Sequence, residues 1–296
     1  MGGGKWTSDD YTSYARSTSY ITKSTAEIFG NRSIPKELDP KLIKLRESCD
    51  SEDNPNSTPV ILALDVTGSM GEYAGKIARD ALPALMTSIL EDLPVTDPHV
   101  MFMGIDDVHT YRGQDALQVS QFEADIRILQ QLREIFIVGG GGGNRSESYD
   151  LPWYFAAKRT QIDSFQKRGQ KGFLFTFGDE EAPYETLSEK DLALVFGPGQ
   201  YEASTPAATL AAAREKYHVF HVCIEQGGGF DRRAESTWTE LMGTSVLFLR
   251  DFRDLNEVVT STMRIVNGAD INEVIRASKN PDSLRHAFKN ALASGN

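Results

Sequence analysis

The sequence predicts an open α/β protein, a mostly parallel six-stranded sheet with helices on both faces. Three observations predict it. From Val60 onward, short runs rich in Val, Ile, Leu and Phe alternate with longer segments of helical periodicity, the pattern of strand–helix units joined by right-handed crossovers. The short runs are apolar at successive positions, as parallel strands covered on both faces are. The first of them, Val60-Ile61-Leu62-Ala63-Leu64, leads into the turn Asp65-Val66-Thr67-Gly68-Ser69-Met70. That turn sits at the carboxyl end of a strand, where open α/β sheets bind their ligands.

The elements follow in chain order. Residues 1–20 are rich in Gly, Ser, Thr and Tyr with little periodicity and read as a mobile arm. The alternative is an extended arm laid on the main domain or a partner through Trp6, Tyr11, Tyr14 and Tyr20. A short helix is expected within 34–47, after Asp39-Pro40, and a polar loop within 50–59, broken at Asn54-Pro55 and Thr58-Pro59. Strands are expected at 60–65, 99–105, 117–120, 172–177, 218–224 and 245–249. Helices are expected at 72–90 with a bend at Pro83, and at 123–136, 151–167, 188–196, 206–216, 234–242 and 255–266. From Ile271 the chain reads as one or two amphipathic helices on the outside. These divide the chain into an arm and loop (1–57), a domain (58–268) and a helical extension (269–296). No internal repeat is visible, and the glycine run 139–143 is the single low-complexity segment.

Composition excludes several classes of function. The 296 residues are 40% hydrophobic, enough for a sizeable core, and the net charge is −11. A general nucleic-acid binder needs clustered Lys and Arg, and an acidic chain is repelled by anionic lipid. Cys49 and Cys223 lie far apart without CxxC spacing, so two free thiols are expected, with a disulfide as the alternative and no thiolate zinc site. The first residues lack the apolar core of a signal peptide, and no apolar run approaches the roughly 18 residues of a membrane span. The expected location is the cytoplasm, or a soluble component of a virus particle. No phosphate-binding Gly-x-x-x-x-Gly-Lys-Ser/Thr loop and no Gly-x-Ser-x-Gly elbow occurs. His218 and His221 fall on opposite faces of one strand, which suits packing better than chelation.

The Asp65 turn carries the chemistry. A carboxylate at Asp65 and hydroxyls at Thr67 and Ser69 stand at alternate positions, presenting oxygens to a hard cation such as Mg²⁺. Strand, turn and following helix together resemble the metal-ion-dependent adhesion site (MIDAS) of von Willebrand factor A domains, whose first motif is Asp-x-Ser/Thr-x-Ser. Asp65, Thr67 and Ser69 match it position by position, and Gly68 and Gly71 allow the tight turn. The bland alternative is a helix cap with local hydroxyl bonds.

The resemblance covers about residues 58–268 and implies a Rossmann-like fold with Mg²⁺ as cofactor, Mn²⁺ or Ca²⁺ being the substitutes. Its second motif, a glycine-rich turn bearing a Thr, is replaced by the glycine run, Asn144 and Arg145-Ser146-Glu147-Ser148-Tyr149. Gly143 stands where that Thr is expected, which leaves Glu147, Ser146 or Ser148 to supply the oxygen; a helix cap is the alternative. Its third motif, Thr-Asp-Gly, has Phe177 at the Asp position. Asp179, two residues on and on the same strand parity, is the substitute carboxylate, acting through water; a solvated loop at 179–181 is the alternative. Asp106, at the end of the second strand, is an additional candidate. Arg46-Glu47-Ser48, Asn144 to Tyr149 and Gly178-Asp179-Glu180 look like a bacterial and phage subgroup. The resemblance implies a non-catalytic module that engages an Asp or Glu of a protein partner, with an ATPase-containing complex as one setting. Two alternatives stay open: a metal-dependent hydrolase gathering Asp65, Asp106, Glu147 and Asp179, and an assembly protein whose metal site is degenerate.

Overall fold

The structure, a computed structural model, describes residues 4–68, 70–91, 94–137, 146–225 and 231–294. Its strands are β1 (Arg46–Ser48), β2 (Thr58–Asp65), β3 (Pro98–Ile105), β4 (Leu117–Val119), β5 (Thr160–Ile162), β6 (Gly172–Gly178), β7 (Tyr217–Ile224) and β8 (Val246–Leu249). The main sheet runs in the order β4-β3-β2-β6-β7-β8. All neighbours are parallel except β4, which lies antiparallel to β3. Counted along the chain, the six strands have the doubly wound order 3-2-1-4-5-6. The direction of winding reverses between β2 and β6, and the crevice beyond their carboxyl ends is the place such a sheet offers a ligand. The six strands and the open α/β class are those expected.

The core lies in two layers set by strand parity. On one face Leu62 and Leu64 join Phe173, Phe175 and Phe177, covered by Leu85 and Ile89 of the helix Leu82–Glu91 and by Val258 and Val259 of Leu255–Val266. On the other, Ile61 and Ala63 join Met101, Met103 and Leu174, covered by Trp153 and Phe155 of Asp150–Arg159 and by Trp238 of Arg232–Met242. Every residue of β3 and β6 is buried, and each such large apolar side chain contributes about 1.5–3 kcal/mol. Local signals set the helix boundaries. Ser188 and Asp191 form a capping box, and Thr205 caps a helix whose first residue is Pro206.

Several local expectations are corrected. The helix expected at 72–90 is Gly71–Lys76, a π-helical turn Ile77–Ala81, then Leu82–Glu91. Pro83 has no N–H for the carbonyl four residues back, and the ladder widens just before it. The helix expected at 151–167 is interrupted by β5, which pairs in parallel with β1 in a separate two-stranded sheet. Thr160 marks the break, its Oγ1 bonded to the Ala156 carbonyl (2.6 Å) and to Tyr217 Oη (2.8 Å). No helix forms within 34–47: β1 takes the end of that segment, and the Leu38 carbonyl accepts from Val119 N at 2.9 Å.

The first residues described lie on the main core through Trp6, Tyr11, Tyr14 and Tyr20, as the alternative expected, but in helical rather than extended form. They form the helix Ser8–Thr18, capped by Thr7. Trp6 and Tyr20 are buried, with Tyr11 and Tyr14 packed on the same core. Burial of Trp6 and Tyr20, with Tyr11 and Tyr14 partly buried beside them, outweighs the polar composition that suggested a mobile arm. Past the helix Leu255–Val266 the chain adds the short helices Ile271–Ala277, Pro281–Ala287 and Lys289–Ser294, one more than expected. Cys223 is buried, Cys49 only partly so, and both are free thiols. Among the described residues, no helix is long and apolar enough to cross a membrane.

Candidate functional site

β2 delivers Asp65 to the winding switch, fully buried. Its Oδ1 accepts from the Thr67 backbone N–H (2.9 Å) and from Thr67 Oγ1 (2.6 Å), so carboxylate and hydroxyl hold one tight turn. Its Oδ2 accepts from Tyr149 Oη at 2.9 Å. Burial, together with the charge of Asp179, pushes the Asp65 carboxyl up to about 7 against the pull of these hydrogen bonds. Ser69, the third residue of the motif, lies outside the described residues. So do the glycine run 139–143 with Asn144 and Arg145, and the glycines 227–229.

The partners of this turn come from three other chain segments. Asp65 pairs in register with Ile105, and Asp106, the next residue on that strand's exit, is buried and raised in pKa chiefly by that burial. β6 ends at Gly178, and Asp179 follows, half-buried, its charge acting on both Asp65 and Tyr149. The segment leading into Asp150–Arg159 brings Glu147, which is 4% exposed and whose Oε2 has no hydrogen-bond partner. Burial pushes the Glu147 carboxyl up to about 10, helped by the charges of Asp65, Asp106, Asp107 and Glu180. Asp65, Glu147, Asp179 and Asp106 thus converge on one edge of the sheet.

Ser146 and Ser148 have other duties. Ser148 Oγ accepts from Val108 N (3.0 Å) and donates to Asp107 Oδ1 (3.1 Å), tying the loop after β3 to the start of the helix. Ser146 is bridged to Glu181 and turns its hydroxyl to the Glu147 carbonyl at 3.3 Å. Phe177, at the place where the resemblance expects an acid, is buried with Phe175 in the core. His221 is buried, stacked on Trp238 at 3.4 Å and bonded to Thr176 Oγ1 at 2.9 Å, the packing role expected of it.

Sequence reasoning missed Tyr149 as a participant. Its ring rests edge-on against His221 and Trp238, and its hydroxyl passes over Gly178. A Cβ there would stand 2.0 Å from Tyr149 Oη. The only signal was a glycine at 178 facing a tyrosine 29 positions earlier, and nothing local links the two.

The donor set suits a hard cation. Asp65, Thr67, Glu147 and Asp179 offer oxygen only, and the donor-less Oε2 of buried Glu147 is an orphan that a cation would satisfy. Among the described residues no three His, Cys, Asp or Glu side chains stand close enough to hold a metal ion by themselves, so hydroxyl oxygens, Thr67 first, must complete any such set.

Fold and turn together define an open α/β protein with an acidic crevice at its winding switch. No protein-family model matches the chain, and no curated protein does. Among solved structures it is similar to the pilus adhesin SpaC of Lactobacillus rhamnosus GG in its open conformation, at 9% identity over 73% of this chain and 31% of that one, TM-score 0.47. It is also similar to a von Willebrand factor type A protein of Catenulispora acidiphila (14% identity, 71% and 42% covered, TM-score 0.36). A third is proximal thread matrix protein 1 of the mussel byssus (13% identity, 73% and 48%, TM-score 0.41). The chain spans less than half the length of each.

Proposed function

We propose that this protein is a non-catalytic binding module that engages a carboxylate of a protein partner through Mg²⁺ held at the Asp65 turn. The carrying observation is the convergence of buried Asp65 and Glu147 with Asp179 at the carboxyl edge of β2 and β6. Asp65 and Thr67 would hold the ion, with Ser69 from the same turn and one further carboxylate, Glu147 or Asp179, completing the set. Bound there, the ion supplies a positive charge that a partner Asp or Glu can complete. The chain's own residues do the rest. Thr67 orients the Asp65 carboxylate, Tyr149 fixes its outer oxygen, and the Phe177 and Trp238 cores keep the turn rigid.

A calorimetric titration with MgCl₂ tests the first step. Binding is expected in the native chain and is expected to vanish in Asp65→Ala. A glutamate-bearing peptide is then expected to bind only when Mg²⁺ is present, and EDTA to release it. Turnover of a phosphoester panel, lost in Asp65→Ala, would replace this reading with the hydrolase.

One observation favours a second reading. Both oxygens of Asp65 already accept hydrogen bonds, from Thr67 and Tyr149, so the turn is satisfied without an ion. That suits an assembly module with a degenerate site, and it predicts no Mg²⁺ heat and a metal-free purified protein by elemental analysis.

A further inference from the structure

Next to the Asp65 turn, and sharing Glu147 with it, a cleft opens between the loop after β3, the start of the helix Asp150–Arg159 and the loop after β6. Asp107, His109, Glu147, Asp150, Tyr184 and Glu185 are among its lining, with His109 Nδ1 3.3 Å from Glu185 Oε2. It has room of ≈ 10 Å³, the least that holds one water-sized group. Asp150 is 1% exposed, and its Oδ2 has no hydrogen-bond partner. Glu147 Oε2 on the same wall is in the same condition. A buried acceptor without a donor is unfavourable until something brings one.

We propose that this cleft is a socket for the side chain of a lysine on a partner protein. The occupant must be water-sized, positive and rich in donors. A primary ammonium is all three, with three N–H donors and no acceptor on a flexible four-carbon stem. A guanidinium is too broad for that space.

The surroundings fit a protein-borne lysine rather than a free amine. Pro183 and the ring of Tyr184 flank the mouth and offer apolar surface to the stem. The same two residues border a second groove of ≈ 820 Å³, walled in part by Ala182, Ala207 and Leu241, with room for residues on either side of the lysine. Tyr184 is 62% exposed, and Tyr111, on the loop that carries Asp107, is 91% exposed. Exposed tyrosines are enriched in protein interfaces. The chain's net charge of −11 also attracts a basic segment. The socket does not depend on a metal at Asp65.

The test is an amide NMR titration of the full chain, in EDTA, with the peptide acetyl-Ala-Ala-Lys-Ala-Ala-amide. Its Nε-acetyl-lysine counterpart and 1,4-diaminobutane are the comparison ligands. The lysine peptide is expected to shift the resonances of Asp150 and Tyr184, and acetylation to weaken it by roughly tenfold or more, as loss of a charged hydrogen bond does. Asp150→Asn and Glu185→Gln are each expected to weaken it by about the same factor. Should Asp150→Asn fail to fold, Glu185→Gln at the half-exposed Glu185 and Tyr184→Ala carry the test. Equal binding of the two peptides, or full affinity in the variants that fold, overturns the proposal. Diaminobutane binding as tightly as the peptide overturns the partner lysine in favour of a free polyamine. Binding seen only with Mg²⁺ overturns its independence from the Asp65 turn, whereas binding in EDTA by a chain that takes up no Mg²⁺ sinks the metal reading alone.

Discussion

Tyr149 Oη donates to Asp65 Oδ2 at 2.9 Å across 84 residues of chain, and it reaches there only because residue 178 is glycine. The bond joins the turn after β2 to the start of the helix Asp150–Arg159, and so ties the two sides of the acidic crevice together.

Tyr149→Phe removes the donor and leaves Asp65 Oδ2 buried without it. The expected loss is about 1–3 kcal/mol of folding free energy, read as a lower urea midpoint with an unchanged slope. An unchanged midpoint would mean the hydroxyl contributes nothing to the turn.

Gly178→Ala places a methyl 2.0 Å from Tyr149 Oη. The expected loss is about 1–3 kcal/mol from overpacking. A methyl at Gly30 would meet nothing within 4 Å, so Gly30→Ala is the matched control and is expected to fall within about 0.5 kcal/mol of the native chain. If the two variants melt alike, the close approach at Gly178 is not what constrains that site.

Two carboxyls respond to pH with opposite sign. Burial and Asp179 raise Asp65 from its ordinary 3.8 to about 7. Its folded form holds the proton more tightly, so its contribution is fully present below 3.8 and is lost as pH rises through about 7. Asp50 goes the other way. Burial opposes the shift, but hydrogen bonds from Arg168 and Ser57 prevail and hold its carboxyl far below the usual range. Its contribution is present above 3.8 and is lost as pH falls below that value. Metal-free protein is therefore expected to melt at a lower temperature at pH 8 than at pH 5. Asp65→Asn is expected to lessen that decline, with buried Glu147, raised to about 10, carrying the remainder, and Asp50→Asn to flatten the acid limb instead. If Mg²⁺ binds as proposed, its stabilisation is expected to grow from pH 5 to pH 8, because the ion competes with protons.

Phe175, on the central strand β6, stacks between Phe173 and Phe177 and against Phe220. Phe175→Ala is expected to lower stability by about 3–5 kcal/mol, measured by urea unfolding. A loss below about 1 kcal/mol would mean that this layer collapses around the cavity.

Much of the fold was legible locally. All six sheet strands were placed close to their observed bounds, because a strand buried on both faces is a dense apolar run bounded by turn residues. Pro83 and Pro206 marked helix features through their own backbone chemistry, and Ser188 through its capping side chain. Where reading failed, a long-range contact had overridden local preference. The pairing of Arg46–Ser48 with Thr160–Ile162 turned one expected helix into two and another into a strand. Trp6 and Tyr20 drew a polar segment onto the core as a helix.

The candidate site divides the same way. By itself the sequence determined the Asp65 turn, because its strand, carboxylate, hydroxyls and glycines are adjacent in the chain and their chemistry is local. It also marked Asp106, Glu147 and Asp179 as acids at the ends of neighbouring elements. Only the tertiary structure decided that Asp179 raises the proton affinity of Asp65 and that Asp65 and Asp106 raise that of Glu147, that Ser148 serves as a strut, and that Tyr149 reaches Asp65 over Gly178. Burial and through-space charge arise from segments far apart in the chain, and their strength is set by sheet register and packing, which no local run of residues encodes.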